Sequence, residues 1–181
     1  MDPQKLVDLA LAAGAHKAAA MEQSHIRLSE SFRALCEANT CGSYGKCWMC
    51  PPFIGPVEER MEEIRSYPHA VMFQTIWELE DSYDLEAMEE GARKHARAAM
   101  ALREAAGTVL KNKFLVLSCG GCNLCEQCAK ITEEPCRFPD KALSSVEGYG
   151  VDVYRTVKGT ELKYINGADT VTYFGMILYT E

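Results

Sequence analysis

Residues 114–128 read Phe-Leu-Val-Leu-Ser-Cys-Gly-Gly-Cys-Asn-Leu-Cys-Glu-Gln-Cys. The apolar run Phe114–Ser118 stops abruptly at cysteines and glycines. A short apolar run bounded by a turn signal predicts a buried strand. That strand delivers the chain directly into Cys119, Cys122, Cys125 and Cys128, and Cys136 follows after seven intervening residues. The rest of the fold must be arranged around a sheet that ends in this loop.

The spacing Cys122-x2-Cys125-x2-Cys128 is the one by which bacterial ferredoxins wrap a cubane cluster, with a fourth cysteine that can be distant. Such a site needs thiolates converging on a small metal core. Gly120 and Gly121 let the backbone turn tightly and aim amide hydrogens at sulfur. Arg137 places positive charge beside an anionic cluster. Zinc is the alternative, because Cys119/Cys122 and Cys125/Cys128 form two C-x2-C pairs. Only two residues separate those pairs, against about 15–20 in most zinc sites. Spacing and ligand softness favour a [4Fe-4S] cluster over zinc or plain buried thiols. Cys119 is the surplus cysteine and reads as a small apolar residue ending the strand.

Upstream lies a second group, Cys36-x4-Cys41-x5-Cys47-x2-Cys50-Pro51-Pro52. Gly42 and Gly45 permit a winding loop, and the two prolines stiffen its exit. Tyr44 and Trp48 either shield a cluster or simply pack. Four thiolates here would close the site, as electron transfer or a structural role requires. Three would leave one iron open to substrate. Cys47 decides between these readings.

These nine cysteines sit in 181 residues, and the 68 residues from Pro51 to Ser118 contain none. A chain of this length buries about 70% of its unfolded surface and needs no disulfides to fold. Hydrophobic residues make up 48% and charged residues 25%, which excludes disordered and low-complexity classes. The formal charge is −7 with no densely basic stretch, which argues against nucleic-acid binding. No apolar run approaches the roughly 18 residues of a membrane span. Met1-Asp2-Pro3 carries an acid where an export signal needs basic charge. The expectation is therefore a cytoplasmic protein, where clustered cysteines mean metal or redox chemistry.

The remaining pattern predicts a helix capped by Asp2 and ending near Gly14, then a strand over Lys17–Gln23. A short helix follows over Ser29–Glu37, with Phe32 and Leu35 on one face. Pro56 opens a helix with Val57, Met61 and Ile64 at core spacing. Ala70–Leu79 reads as a strand and Asp84–Gly107 as a long helix. The apolar face of that helix is expected to carry Leu85, Met88, Ala92, Ala99 and Leu102. Ser144-x-x-Glu147 is a capping-box signature for a helix reaching about Lys158. Asn166-Gly167 marks a turn, and Val171–Thr180 is the last strand. With Tyr173, Phe174 and Tyr179, that strand is a candidate for pairing across a homodimer if it lies at a sheet edge. The class is α/β or α+β over residues 1–181 as a single domain. A small mixed sheet is flanked by helices and carries two cysteine-rich metal-binding loops.

Other chemistries lack support. His16, His25, His69 and His95 are scattered, with no zinc-hydrolase pair at i, i+4. No phosphate-cradling glycine motif and no nucleophile elbow occurs. Glu58, Glu59, Glu62 and Glu63 read as a solvated helix face, and the dispersed methionines as packing. Glu147 and Asp152 are candidate acid/base groups, though capping already explains Glu147.

The chain resembles a family of cysteine-rich bacterial and archaeal proteins of unknown function that are described as metal-binding. The resemblance rests on residues 36–45 (Cys-Glu-Ala-Asn-Thr-Cys-Gly-Ser-Tyr-Gly), Trp48-Met49-Cys50-Pro51-Pro52 and residues 121–128. It extends to Cys136-Arg137-Phe138-Pro139 and to residues 145–153, Ser-Val-Glu-Gly-Tyr-Gly-Val-Asp-Val. It spans most of the chain. It implies ligation by Cys36, Cys41, Cys50, Cys122, Cys125, Cys128 and Cys136, whereas Cys47 and Cys119 are not fixed cysteine positions in that pattern. Residues and resemblance together predict one or two [4Fe-4S] clusters serving electron transfer or redox chemistry, with a redox partner protein or a small-molecule substrate. The alternatives are an enzyme with an open iron on a three-cysteine cluster, for sulfur removal or reduction, and a zinc-stabilised interaction module.

Overall fold

Asp2 accepts a hydrogen bond from the Gln4 amide at 3.0 Å and starts helix α1 (Pro3–Ala12), with Pro3 where a missing N–H costs nothing. In this computed structural model, which describes residues 2–181, the chain then forms β1 (Lys17–Glu22) and α2 (Ser31–Glu37). After these come α3 (Val57–Arg65), β2 (His69–Glu78), α4 (Leu85–Val109) and β3 (Phe114–Leu117). A short helix, α5 (Val153–Thr156), and β4 (Thr170–Tyr179) complete it.

The strands form one sheet in the order β1-β2-β4-β3. Side chains alternate across it, as a two-residue period demands. Val71, Phe73, Val116, Ile177 and Tyr179 face α1 and α4, meeting Leu6, Ala10, Ala99 and Leu102. Ala70, Met72, Leu117, Phe174, Met176 and Leu178 face the other way. There they meet Ile64 and Tyr67 at the end of α3, together with Val146, Tyr149, Val151 and Val153. Fully burying each such side chain contributes about 1.5–3 kcal/mol. The sheet is thus covered by two helices on one face and by α3, α5 and an irregular segment on the other.

Several expectations change here. Every ladder is antiparallel, and the only parallel pairing among the described residues is the isolated bridge Ser118–Ser145. The mixed character therefore survives only beyond the end of β3. β4 lies inside the sheet, paired to β2 on one side and β3 on the other, so it offers no free edge for pairing between copies. Helix α2 turns over relative to its apolar pattern: Leu35 is 60% exposed and Arg33 is 8% exposed. On α4, Leu85 is exposed, and the buried stripe runs through Gly91, His95, Ala98, Ala99, Leu102 and Ala106.

The largest change concerns Ser144-x-x-Glu147, which caps no helix. Ser118 N–H donates to Ser144 O, and Val146 N–H donates to Ser118 O, both at 2.9 Å, holding this stretch alongside the end of β3. The Ser145 hydroxyl accepts from Gly148 N–H at 3.0 Å. Gly150, at φ +75, turns the chain where other residues are strained. The helix begins later, where Asp152 accepts from Arg155 N–H at 2.9 Å. Glu147 is left without the capping partner its sequence context suggests.

Candidate metal centre

All nine cysteines are free thiols. The five of the later group leave β3 together. The loop from Cys119 passes through Gly120 and Gly121 and ends at a short 3-10 turn, Ala129–Thr132. The earlier group leaves α2 at Cys36 and turns at Asn39, whose left-handed φ of 55 is stabilised when its side-chain oxygen accepts from Tyr44 N–H at 3.0 Å. Gly45 N–H then donates to Pro51 O at 3.0 Å, closing the loop around Cys47.

Three contacts join the loops. The Trp48 indole donates to Glu134 O at 2.8 Å, across 86 residues of sequence. The Lys130 ammonium lies 4.9 Å from the Trp48 ring centre and 4.5 Å from that of Phe53. Lys130 is nevertheless buried, and Glu133 pairs with it. The third contact is the closest. A Cβ on Gly121 would collide with the Ser43 hydroxyl and stand 3.9 Å from Cys50 Sγ. Only a glycine lets the two loops approach this nearly. Gly121→Ala should therefore cost about 1–3 kcal/mol by overpacking. Adding Ser43→Gly should recover most of that loss, as read by thermal denaturation of the single and double variants.

The cysteines are distributed unevenly between the loops. Cys47 and Cys50 are both buried. The Cys47 thiol is hydrogen-bonded with that of Cys50 and also meets the Cys128 thiol and the Cys122 backbone. The Cys50 thiol holds Cys47 well below the usual cysteine range, while the same bond and burial push Cys50 up. Cys47, Cys122, Cys125, Cys128 and Cys136 line one cavity with Trp48, Phe138 and Arg137. Cys47 thus belongs spatially to the later group as well as to its own loop. Lys46 and Arg137 line the adjoining open cleft, where their positive charge faces the thiols.

Cys36 and Cys41 form a different neighbourhood. Burial raises the Cys36 thiol, and Glu147 raises it further, while Arg33 opposes them. Cys41 is in electrostatic range of both Cys36 and Cys50. Burial holds the Cys119 thiol well above its usual range, again reinforced by Glu147. Burial also raises Glu147 itself.

Arg33 connects the parts of this region. Its guanidinium donates to Gly55 O at 2.8 Å and to Gly148 O at 2.9 Å. The helix carrying Cys36, the exit of the first loop and the segment carrying Glu147 are thereby held by one side chain. Sequence reasoning missed Arg33; its signal was a lone cation three residues before Cys36 on an otherwise weakly amphipathic helix. The contacts of Lys130 and Ser43 had no local signal at all.

The other candidates have structural partners. His16 Nδ1 accepts from Ile76 N–H at 3.1 Å, His25 lies 3.0 Å from Thr156 O, and His69 lies 3.1 Å from Glu22. His95, on the buried face of α4, sits in the core. Asp152 caps α5. Among the described residues, no group of three or more His, Cys, Asp or Glu side chains is placed to hold a metal ion. No helix among them is long and apolar enough to cross a membrane.

No curated protein and no solved structure matches the chain. A family described as predicted metal-binding protein (DUF2284) matches residues 19–179, from β1 to the end of β4. That span includes all nine cysteines and Arg33, Gly121 and Glu147. The chain belongs to this family of predicted metal-binding proteins.

Proposed function

We propose that this chain is a cytoplasmic iron–sulfur protein that holds two [4Fe-4S] clusters and acts in electron transfer or redox chemistry. Its counterpart is a redox partner protein or a small-molecule substrate. The observation that carries this reading is the set of five cysteines lining one cavity, four from the later loop and Cys47 from the earlier. Thiolates spread around a cavity suit a polynuclear core. Buried backbone amides and the cations Lys46 and Arg137 suit its negative charge. Cys122, Cys125, Cys128 and Cys136 would hold one cluster, and Cys36, Cys41 and Cys50, with or without Cys47, the other. Bound there, such clusters supply one-electron chemistry. The protein's part is to exclude water with Trp48 and Phe138 and to keep the two centres adjacent. Cys47, in contact with Cys50 and Cys128, lies on the direct path between them.

A second reading is an enzyme whose first centre keeps an iron accessible to substrate. It is favoured by the same residue, because Cys47 meets Cys122 and Cys128 and so is drawn from the Cys36/Cys41 side.

Protein purified without oxygen should contain iron and acid-labile sulfide and show a broad visible absorbance. Cys36→Ser and Cys128→Ser should each remove about half of the iron. Zinc without sulfide, and no visible band, would overturn both iron readings in favour of a zinc-stabilised interaction module. Cys47→Ser separates the two iron readings. Unchanged iron content and an unchanged spectrum would mean that Cys47 is no ligand, which favours the accessible iron.

A further inference from the structure

We infer that this chain forms a two-fold dimer in which β1 pairs antiparallel with β1 of a second copy, centred on Ala19. The surface concerned lies apart from the cysteine loops, and the inference is independent of the iron–sulfur reading.

β1 is an outer strand of the sheet and pairs only with β2. Its ladder with β2 fixes where its amides point. Gln23 N–H donates to Pro68 O at 2.9 Å, in the register that pairs Met21 with Ala70 and Lys17 with Gln74. Hydrogen-bonded pairs alternate along an antiparallel ladder, so Lys17, Ala19 and Met21 bond to β2. Ala18, Ala20 and Glu22 therefore turn their N–H and C=O groups outward. Such a row is a template for another strand, and proteins that keep it unpaired place proline or charge along it. Lys17-Ala18-Ala19-Ala20-Met21-Glu22 has no proline, and its charges stand only at its ends. The opposite edge differs: β3 has four residues, and residues 144–146 run beside its end.

The strand suits a copy of itself. With a two-fold axis through Ala19, Ala18 of each copy faces Ala20 of the other, and each such pair exchanges both of its backbone hydrogen bonds. Nothing larger than a methyl group stands at the centre of this contact.

Charge favours the copy over an unrelated strand. Lys17 lies on the same face of the sheet as Ala19 and Met21, and in this register it stands opposite Met21 of the second copy. Beside Met21 runs an open groove of about 590 Å³, lined also by Ala19, Ala20, Glu22, Arg27 and Glu161. Glu161 is exposed. Neither Lys17 nor Glu161 forms an ion pair among the described residues. Lys17 of each copy thus enters the groove of the other and meets Glu161 there, once on either side of the axis.

The test is sedimentation equilibrium of the full-length protein over a dilution series, with every variant in the same metal state. Wild type is expected at twice its chain mass of 20.1 kDa, dissociating on dilution. Ala20→Pro should be monomeric. The Ala20 amide takes no part in the β2 ladder, so proline removes the outward donor and leaves the fold in place, as far-UV circular dichroism would show. Lys17→Glu and Glu161→Lys should each weaken the dimer about tenfold or more, and the double variant should restore it. Restoration is an outcome that a merely structural role of either residue does not produce. Wild type that stays monomeric at every concentration would overturn the inference and leave the edge to a strand of another protein. A dimer that survives Ala20→Pro, or charge variants that leave its strength unchanged or fail to restore it together, would place the interface elsewhere and overturn the inference too. Should Ala20→Pro fail to fold, the charge-swap series decides. None of these results depends on iron or sulfide content.

Discussion

Arg33→Met will destabilise the protein by about 3 kcal/mol or more, the largest loss expected from any single change outside the cysteines. Arg33 is 8% exposed and gives two hydrogen bonds, to Gly55 O and Gly148 O. Bonds from a charged donor contribute about 1.5–3 kcal/mol each, and removing the donor leaves two carbonyls without their partner. Methionine keeps much of the volume and none of the donors, so the loss isolates the polar contacts. For a chain of this size, the melting temperature should fall by about 6–12 °C. Arg33→Lys should recover only part of it, because an ammonium does not reproduce the fork of a guanidinium across two carbonyls. A melting temperature unchanged in Arg33→Met would show that the three segments are held by other contacts.

The second large effect is on acid stability, and its origin is His95. The ring is fully buried, stacked on Phe73 with centroids 5.4 Å apart. Thr75 Oγ1 accepts from the Trp77 indole at 3.2 Å and so donates to His95 Nδ1 at 2.9 Å. That arrangement suits a neutral imidazole. Desolvation lowers its pKa from the ordinary 6.5 to about 4. The folded state therefore resists a proton that the unfolded state takes up. Stability is complete above pH 6.5, is lost as pH falls from 6.5 toward 4, and changes no further below that from this group. The total is about 3 kcal/mol, of which about 2 kcal/mol is gone by pH 5. His95→Gln will be less stable than wild type at pH 7. The gap between the two should narrow by about 2 kcal/mol at pH 5, measured by urea denaturation of both proteins in the same metal state. Parallel pH profiles would mean that His95 titrates alike in both states.

Elements with strong periodic patterns were legible in the sequence. α1, α3, β2 and α4 lie within a few residues of where capping residues and apolar spacing put them. β3 was legible as an apolar run ending in cysteines. What failed were segments whose conformation depends on distant partners. Ser144-x-x-Glu147 is a sound local capping signal, but the backbone of Ser118 claims Ser144 and Val146 first. Leu35 belongs inside by hydropathy, yet α2 is oriented by the two carbonyls that Arg33 reaches. Whether the last strand lies at an edge is not written in its aromatic residues. Its register with both β2 and β3 is a property of the whole sheet.

The same division runs through the site. Covalent spacing is local, so nine cysteines in two groups, the C-x2-C-x2-C run and the metal-binding character were all readable from residue order. The sequence alone also singled out Cys47 as the residue that divides the readings. That Cys47 neighbours Cys122 and Cys128 of the later loop is set by tertiary structure. Gly121 admits Ser43 and brings the loops together, and Arg33 ties α2 to the carbonyls of Gly55 and Gly148. A ligand set is defined by where side chains converge in space, and contacts across 86 and 115 residues of chain leave no trace in local pattern.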